Sequence, residues 1–567
     1  MPIIPINSDS ILTDIENHFK VSAGPGAGKT HWLVNHIKNV LYNSEKLYRT
    51  RKVACITFTN IAVETILRRL GTSAGQVDIS TIHSFLYKHI IKPYAAFIAE
   101  EYGLNIAEID GHDDIVLSNY GFLNEWKGRT GQQRIREDNK VVEAFKSLRW
   151  KFEDEELIVR PKYPVKVGGY AIRTNSYSEY KRMTWEKGLI HHDDVLFFSY
   201  QIIKKFPFVA KVLAAKFPYI FIDEFQDSNP IQVEIFKILG LENITIGIIG
   251  DVAQSIYGFQ GADFTQFQSF NLSNYKEYTM VENRRSCNEI IDLLNTVRTD
   301  IQQAKIRNVS ILKPIIYVGD MTAALREAKA LCNTEHTHTL SRQNITSNAM
   351  KAEINGAGLN SKLLEQLLEI DKPGSGNRYR SKKITAFIKS IAYAKENKFK
   401  DAIRELEKLF NYKADKLKGK QRALNFISSF LEKYDEYKDS TLIEFAQFIR
   451  ENLVPDLANF RTGPIKDFYD GHTFNQLLLC VSIPEDISFH KTIHKAKGDE
   501  FKNVLLVLKE ENDIKFLTET DLLADEEHRI NYVAISRARN RLFISVPSLG
   551  DNEENILQSQ FDIVTLQ

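Results

Sequence analysis

The segment AGPGAGKT, from Ala23 to Thr30, decides how the first part of the chain is expected to fold. It is preceded by HFKVSA, which is typical of a short buried strand, and followed by THWLVNHIKNVL, whose apolar residues recur at helical spacing. The glycines therefore lie at a turn between a strand and a helix, the context that a phosphate-binding loop requires. The usual pattern, GxxxxGK followed by Ser or Thr, begins here with Ala23, so the match depends on the later glycines. A glycine-rich turn without a ligand is the alternative, and the GAGKT ending argues against it.

This turn is suited to hold a nucleoside triphosphate with Mg²⁺. Gly24, Gly26 and Gly28 allow backbone N–H groups to converge on phosphate oxygens. Lys29 is placed to reach the β and γ phosphates, and Thr30 offers a hydroxyl group to Mg²⁺. The sequence therefore predicts a phosphate site of the ATP type that uses Mg²⁺.

A second apolar strand, within FPYIFIDEFQD, is followed at its carboxyl end by two acids. Asp223 and Glu224 follow the strand directly, where open parallel sheets bind ligands. Asp223 is suited to hold Mg²⁺, and Glu224 to orient and deprotonate an attacking water. A further strand, ITIGIIGD, ends shortly before Gln254, whose amide is suited to sense a γ-phosphate. Solvated acids, capping groups and loop-forming side chains are the alternatives when these residues are considered singly.

The composition is that of a large protein with several lobes. At 567 residues, 43% of them apolar, the chain is too long for one core. Its four cysteines lie far apart, which excludes a local metal-cluster motif and favours a reducing, cytoplasmic location. No stretch approaches the roughly 18 apolar residues of a membrane helix, so we expect no membrane association. Lys and Arg number 74 against 73 Asp and Glu, so a polyanion must be held by local basic surfaces.

Aromatic residues recur in several of the polar segments. Phe58 follows the strand KVACITF, Phe85 closes TIHSF, and Tyr257 and Phe259 alternate in IYGF. Rings of this kind stack on nucleic-acid bases without regard to sequence. Core packing is the alternative for each ring and is the stronger one for Phe85. We predict base contacts for Phe58, Tyr257 and Phe259, while His83 of TIHSF is either a nucleic-acid contact or a structural histidine.

Two further segments complete a pattern that resembles a known family. They are TIHKAKGDEF, Thr492 to Phe501, and NYVAISRAR, Asn531 to Arg539. In order and wording, the segments resemble the UvrD, Rep and PcrA type of superfamily 1A DNA helicase from about Val21 to about Val546. The resemblance implies an α/β fold with two RecA-like P-loop lobes, 1A and 2A, whose parallel sheets are flanked by helices, and two mainly helical inserted lobes, 1B and 2B. It also implies ATP bound between 1A and 2A, single-stranded DNA crossing both, and translocation from 3′ to 5′.

The resemblance also assigns roles to individual residues. The implied catalytic set is Glu224, Gln254 and, from lobe 2A, the two cleft-crossing arginines Arg285 and Arg537. The implied nucleotide contacts are Ala23, Gly24, Gly26, Ala27, Gly28, Lys29, Thr30, Arg284, Gly498 and Glu500, with Thr30 and Asp223 at the metal. The implied DNA contacts are Phe58, Thr59, His83, Tyr257, Phe259, Thr492 and His494. An always-charged arginine fork supplied to the transition state is worth about 10³ to 10⁵ in rate.

Several positions depart from the family pattern. Residues 1–22 contain no glutamine, although relatives carry there an LNxxQ segment that reads adenine, so the base preference is open. The NYRS tyrosine is replaced by Arg284, the FTNKA lysine by Ile61, and the WRGA arginine by Gln260. We expect DNA affinity or coupling to be weaker than in the repair helicases.

The motifs divide the chain into six stretches. We expect lobe 1A in 1–86 and 188–275, a short 1B insert in 87–187, lobe 2A in 276–355 and 488–567, and lobe 2B in 356–487. In this division the strand before ENRRS opens lobe 2A, and no nuclease domain follows the last motif.

Two smaller segments invite a choice between interpretations. The run His191 to Asp194, HHDD, precedes an apolar helix, and helix capping by Asp193 or Asp194 is a better interpretation than a metal site. In the 2B stretch, Lys416, Lys418, Lys420 and Arg422 resemble a segment with which relatives touch duplex phosphates, although a solvated helix face is the stronger interpretation.

The sequence leaves two functions open. The first is an autonomous ATP-driven helicase acting on single-stranded DNA and on junctions with duplex DNA in repair or replication. The second is a DNA-sensing ATPase subunit that controls a separate OLD-type nuclease in antiviral defence, as in the Gabija system, with weak or absent unwinding. The short length and the missing glutamine segment favour the second modestly. A degenerate protein that binds nucleotide without hydrolysing it conflicts with the complete catalytic set.

Overall fold

The computed structural model describes residues 2–162, 166–167, 170–356, 358–372, 379–407, 409, 416–483 and 488–566. It forms two compact units, each built from several stretches of the chain. The first unit contains the residues up to Ser286, Leu294–Asn308 and Asp521–Arg529; the second contains Cys287–Leu293, Val309–Thr520 and the residues from Ile530 onward.

The strands are numbered in chain order. They are β1 Ile4–Pro5, β2 His18–Ala23, β3 Val53–Thr57, β4 Val77–Thr81, β5 Leu148–Glu153, β6 Glu156–Pro161, β7 Lys166–Val167, β8 Tyr170–Ala171, β9 Tyr219–Ile222, β10 Thr245–Gly250, β11 Tyr275–Met280, β12 Glu282–Asn283, β13 Ala304–Lys305, β14 Ile315–Val318, β15 Thr337–Ser341, β16 His490–Thr492, β17 Phe501–Val507, β18 Ala538–Val546 and β19 Asp562–Thr565.

The α-helices are numbered in the same way. They are α1 Lys29–Asn43, α2 Asn60–Leu70, α3 Ile82–Leu86, α4 Lys92–Tyr94, α5 Ala99–Tyr102, α6 Tyr120–Thr130, α7 Asp138–Lys146, α8 Thr174–Trp185, α9 His192–Lys205, α10 Phe208–Lys216, α11 Pro230–Gly240, α12 Thr265–Ser269, α13 Asn288–Val297, α14 Met321–Cys332, α15 Asn344–Lys351, α16 Leu363–Ile370, α17 Arg380–Lys395, α18 Phe399–Glu407, α19 Lys416–Glu432, α20 Tyr434–Tyr437, α21 Leu442–Asn452, α22 Pro464–Asp470, α23 Phe474–Leu478, α24 Lys515–Thr518, α25 Glu526–Ile535 and α26 Asp551–Leu557.

A seven-stranded parallel sheet forms the centre of the first unit, in the order β1-β11-β2-β10-β9-β3-β4. Its central strands are buried on both faces. In β9, Tyr219 and Phe221 belong to one apolar cluster, whereas Ile220 and Ile222 belong to another. Because successive side chains of a strand point to opposite faces, these two clusters cover the two sides of the sheet.

One strand assignment made from the sequence is corrected. The strand before ENRRS, β11, was expected to open lobe 2A. It instead pairs in parallel with β2, with Tyr278 opposite Val21, and is therefore part of the first sheet. Chain order misled here because a parallel strand is placed by its pairing partner and not by its position in the sequence.

The 87–187 stretch is part of the first unit and shares one continuous apolar core with its neighbouring elements. That core includes Trp126, Phe145 and Tyr180 of the stretch together with Phe198 of α9 and Phe217. The helices are joined by the β5–β6 hairpin. Of the segment PVKVGGYAI, residues 164, 165, 168 and 169 lie outside the described residues.

A buried carboxylate, Asp194, holds this part of the unit together. It accepts the backbone N–H of His191 at 3.0 Å, so capping of α9 by Asp194 is confirmed. Its other donors are the Lys181 ammonium at 2.8 Å and the indole N–H groups of Trp150 at 2.8 Å and Trp185 at 3.1 Å. Burial alone would raise the pKa of Asp194, but the charge of Lys181 holds it well below its usual range.

The second unit contains a six-stranded parallel sheet in the order β16-β15-β17-β18-β14-β19. Helix α14 packs on it through Leu325 and Ala328, in a cluster with Leu505 and Phe543 of the central strands. Helices α16 to α23 share a separate apolar core, within the stretch predicted as lobe 2B. Of the joint DKPGSGNRYRSKK, residues 373–378 lie outside the described residues, and so does 413–415 of the basic segment.

The predicted fold class is confirmed: two parallel sheets flanked by helices, with mainly helical stretches between the motifs. On α19, the described basic side chains Lys418, Lys420 and Arg422 are exposed. This exposure is consistent both with a solvated helix face and with contact to phosphates.

We predict that Asp194→Ala destabilises the first unit strongly. Removing the carboxylate takes away the ion-pair partner of the buried Lys181 ammonium, a change that typically costs about 3 to 5 kcal/mol. All four tryptophans, Trp32, Trp126, Trp150 and Trp185, lie in the first unit, so thermal unfolding followed by tryptophan fluorescence reports on it alone. The control is Glu143→Ala, an exposed acid on α7. Equal melting temperatures for the two variants would contradict the role given to Asp194.

Candidate functional site

The phosphate-binding loop has the backbone that the sequence predicts. Strand β2 ends at Ala23 and α1 begins at Lys29. Gly26 and Gly28 adopt left-handed backbone angles, with φ of 75° and 82°, which side chains with a Cβ rarely adopt. The first N–H groups of a helix have no partner within it, so the start of α1 is suited to bind an anion.

The ENRRS segment lies directly over this loop. The Arg284 N–H donates to the Gly26 carbonyl at 3.1 Å, and a Cβ added to Gly26 would lie 2.9 Å from Cβ of Arg285. Arg285 was expected on lobe 2A; the structure instead places it in the first unit, beside the loop. The guanidinium of Arg284 pairs with Asp9 at 2.7 Å and with Glu282 at 2.8 Å, close to the phosphate site.

A buried glutamine from the segment after α13 also contacts the loop. Gln303 Nε2 donates to the carbonyl of Pro25 at 2.8 Å, and Gln303 Oε1 accepts from Asn283 Nδ2 at 2.9 Å. Asn283 Oδ1 in turn accepts the backbone N–H of Arg285 at 2.9 Å. These amides join the phosphate-binding loop to the ENRRS segment.

The two acids lie where the sequence predicts them, directly after β9. Asp223 is 5% exposed, and its Oδ1 accepts the backbone N–H of Glu224 at 3.0 Å. Glu224 has a left-handed φ of 55°, which is unusual for a residue with a side chain and costs on the order of 1 to 3 kcal/mol. Its Oε2 accepts from Gln226 Nε2 at 2.5 Å, which fixes the direction of the carboxylate.

A chain of buried hydrogen bonds connects Glu224 to the predicted γ-phosphate sensor. The Oε1 atom of Gln226 accepts the backbone N–H of Asp251 at 2.9 Å. Asp251 Oδ2 accepts from Gln254 Nε2 at 2.5 Å, and Oδ1 accepts from Arg298 Nη1 at 2.7 Å. Asp251 therefore links Gln226, the partner of Glu224, to Gln254 and to the buried Arg298.

The aromatic residues form a platform next to these groups. Phe58 and Tyr257 are stacked with ring centroids 4.5 Å apart, and Phe259 lies 6.0 Å from Tyr257 and is 43% exposed. Burial and the nearby carboxylates of Asp227 and Glu224 raise the pKa of Tyr257. A small cavity is lined by Phe58 together with Asp223 and Glu224, so the platform adjoins the acids. Thr59 caps α2 by accepting the N–H of Ala62 at 3.2 Å.

Phe85 is fully buried in the core of the first unit, which agrees with the core-packing interpretation. His83, two residues earlier, instead faces a cavity of about 610 Å³ that is also lined by Phe58 and Phe259. His112 and His192 line the same cavity, and burial followed by these two histidines lowers the pKa of His83 to about 4. His83 is therefore neutral at pH 7.

A segment far along the chain anchors the sensor loop, Gly250–Ala262, inside the first unit. Arg529 Nε donates to the carbonyl of Ser255 at 2.7 Å. Glu526 Oε1 accepts the backbone N–H of Gly258 at 2.9 Å. Asp521–Arg529 was expected to belong to lobe 2A, yet its contacts place it with the first unit.

The remaining predicted residues belong to the second unit. Thr492 ends β16 and is 5% exposed, and Gly498 has a left-handed φ of 90°. His494 is partly exposed and Glu500 is exposed. Arg537 is 2% exposed and donates to the carbonyl of Val533 at 3.1 Å and to Ser536 Oγ at 3.0 Å.

Comparisons with known proteins place this geometry in a family. Residues 7–275 match the sequence model of the UvrD/REP helicase N-terminal domain. The chain is 25% identical to the ATP-dependent DNA helicase PcrA of Staphylococcus aureus (strain Mu50 / ATCC 700699) in an alignment of 631 positions. This alignment covers 95% of this chain and 82% of that protein. These matches support a UvrD-type helicase, with the N-terminal domain of the UvrD/REP family in residues 7–275. The family resemblance inferred from the motifs is thereby confirmed.

Two further relatives match this chain over shorter regions. The Gabija protein GajB of Bacillus cereus (strain HuB5-5) is 26% identical over 337 residues, which cover 50% of this chain and 48% of that protein. PcrA of Bacillus subtilis (strain 168) is 25% identical over 315 residues, which cover 54% of this chain and 40% of that protein. These matches therefore span about half or less of each relative. None of the helices in the described part of the chain has the length and apolar composition needed to cross a membrane.

We predict that His83→Gln reduces the acid sensitivity of the first unit. Below its ordinary pKa of 6.5, His83 binds a proton in the unfolded chain but resists one in the folded chain until about pH 4, so wild-type stability falls between these values. Glutamine does not bind a proton in this pH range, so the variant lacks this loss of stability. Tryptophan fluorescence should show similar melting temperatures for both proteins at pH 7.5 and a smaller decrease at pH 5 for the variant. An equal decrease would contradict the burial of a neutral imidazole.

Proposed function

We propose that this protein is an ATP-dependent DNA helicase or translocase that moves 3′ to 5′ on single-stranded DNA, including strands at duplex junctions. The observation that carries the proposal is that one loop, Gly250–Ala262, holds both a predicted nucleotide contact and a ring of the aromatic platform. This loop holds Gln254, which is bound to Asp251, and Tyr257, which stacks on Phe58 beside the acids. A shift of the aromatic platform on DNA binding would therefore also move Gln254, which we propose to contact the γ-phosphate.

The residues present fit ATP with Mg²⁺. The glycine turn and the start of α1 offer backbone N–H groups to phosphate oxygens, and Lys29 supplies a positive charge. Thr30 and Asp223 would hold Mg²⁺, which neutralises phosphate charge when it is bound. Glu224, fixed by Gln226, accepts the proton of the attacking water. The roles that the family resemblance implies for Arg537, Thr492, His494, Gly498 and Glu500 remain part of this proposal.

A second candidate function is supported by the similarity to the Gabija protein GajB. In this case the chain is a DNA-sensing ATPase subunit in antiphage defence that controls a separate OLD-type nuclease, with weak or absent unwinding of its own. The two functions share the ATPase site and the contact with DNA. They differ in whether the isolated chain separates strands.

We predict that single-stranded DNA stimulates ATP hydrolysis at least about tenfold and that Glu224→Gln abolishes the stimulated activity, because the general base is lost. The measurement is phosphate release from ATP and from GTP, with and without single-stranded DNA, for both proteins. Weak stimulation would contradict the autonomous helicase and favour the second function. Activity that survives in the variant would contradict the role of Glu224. Displacement of streptavidin from the 3′ or the 5′ end of an oligonucleotide then tests the polarity.

We predict that Phe259→Ala weakens binding of single-stranded DNA by about fivefold to a hundredfold, as expected for the loss of one stacked base at ~1 to 3 kcal/mol. Hydrolysis without DNA should change little, since Phe259 lies at the exposed end of the platform. The matched control is Phe97→Ala, which removes a 55% exposed ring elsewhere on the first unit. Fluorescence anisotropy with a labelled oligonucleotide gives the affinities. Equal affinities for the two variants would contradict a DNA contact at Phe259.

A further inference from the structure

Arg298 is a buried charge that none of the sequence motifs contains. It follows α13 directly, and its side chain is 2% exposed. Nη1 donates to Asp251 Oδ1 at 2.7 Å, while Nε and Nη2 donate to the two carboxylate oxygens of Asp300 at 2.6 and 3.0 Å. Asp300 is 63% exposed, so the Asp251 side of this ion pair is the buried one.

The carboxylate of Asp251 needs this arginine. Its side chain has no exposed surface, and an unpaired buried charge is strongly unfavourable. Oδ1 accepts from Arg298 and from the N–H of Ala253 at 3.2 Å, and Oδ2 accepts from Gln254 Nε2. The arginine therefore compensates the charge that holds the sensor glutamine.

The direction of the Gln254 amide depends on the same carboxylate. An amide group has two N–H donors, and binding one of them to Asp251 sets the direction of the other. A sensor that must meet a phosphate oxygen gains from such preorganisation, because no reorganisation is then needed during the reaction. Arg298 lies one residue beyond Asp251 in this chain of contacts.

A second contact fixes the segment that carries Arg298. Gln303, five residues later, is 6% exposed and donates to the Pro25 carbonyl of the phosphate-binding loop at 2.8 Å. The stretch Arg298–Gln303 is therefore attached both to the sensor loop, through Asp251, and to the loop that cradles phosphate. These buried polar contacts connect the two loops through one short stretch of chain.

We propose that Arg298 is a positioning residue for ATP hydrolysis, which acts on Gln254 through Asp251. The proposal rests on the function proposed above, since it assigns Arg298 a part in that ATPase site. Arg298 contacts neither nucleotide nor water in this role. Its effect is on the rate of the chemical step and not on the binding of ATP.

The test is a double-mutant cycle between Arg298 and Gln254, with steady-state ATPase rates at saturating single-stranded DNA. Arg298→Met alone should lower kcat by about tenfold to a hundredfold with KM for ATP changed by less than about threefold. In a Gln254→Ala background the same substitution should change kcat by less than about twofold, because the group on which Arg298 acts is already gone. The control is Thr299→Ala, which alters the exposed neighbour of Arg298.

A purely structural role gives a different result. In that case Arg298→Met lowers kcat by the same factor in both backgrounds, and the proposal is overturned. If Arg298→Met does not fold, as judged by tryptophan fluorescence, the same cycle is made with Arg298→Lys. The lysine variant should lower kcat about twofold to tenfold in the wild-type background and not in Gln254→Ala. A wild type without ATPase activity overturns the proposed function as well, whereas an active wild type with an additive cycle overturns only the role of Arg298.

Discussion

The buried carboxylate of Asp251 is the interaction on which the rest of the site in the first unit depends. Its two oxygens bind Arg298 and Gln254, and its backbone N–H binds Gln226, which in turn holds Glu224. In a water-poor interior these hydrogen bonds strengthen one another, and the loss of one partner leaves a costly unpaired group. Glu224, the proposed general base, and Gln254, the proposed phosphate sensor, are thus held by one polar network and not by independent contacts.

The same network explains how an unfavourable backbone at Glu224 persists. A left-handed residue with a side chain survives only where its surroundings determine its conformation, and here Asp223 binds its N–H while Gln226 binds its carboxylate. The aromatic platform is attached to this region through Tyr257, which lies on the loop of Asp251 and stacks on Phe58. The aromatic platform, which we propose to contact DNA, is therefore connected to the two acids within the first unit.

The features that could be predicted from the sequence are those formed by residues close to one another along the chain. The strand, the glycine turn and the helix of the phosphate-binding loop follow from neighbouring residues, and so do the acids at the end of β9. Arg298, Gln303 and Arg529 could not be found in this way, because their partners Asp251, Pro25 and Ser255 are 47, 278 and 274 residues away. Each is a buried polar residue outside a motif, and only the fold shows what compensates it.

The position of the ENRRS segment also could not be predicted from the sequence. Strand β11 was assigned to lobe 2A from its order in the chain, whereas its pairing with β2 puts it in the first sheet, and Arg285 consequently lies beside Gly26. Pairing between parallel strands that are distant in sequence leaves no signal in a single sequence.

The most direct test of the network is a crystal structure of the chain with ADP, Mg²⁺ and aluminium fluoride, which mimics the phosphoryl group in the transition state. We expect aluminium fluoride within hydrogen-bond distance of Lys29 and Gln254, with Gln254 still bound to Asp251 and Asp251 still bound to Arg298. A Gln254 amide turned away from the aluminium fluoride, or an Asp251 carboxylate released from Arg298, would contradict it.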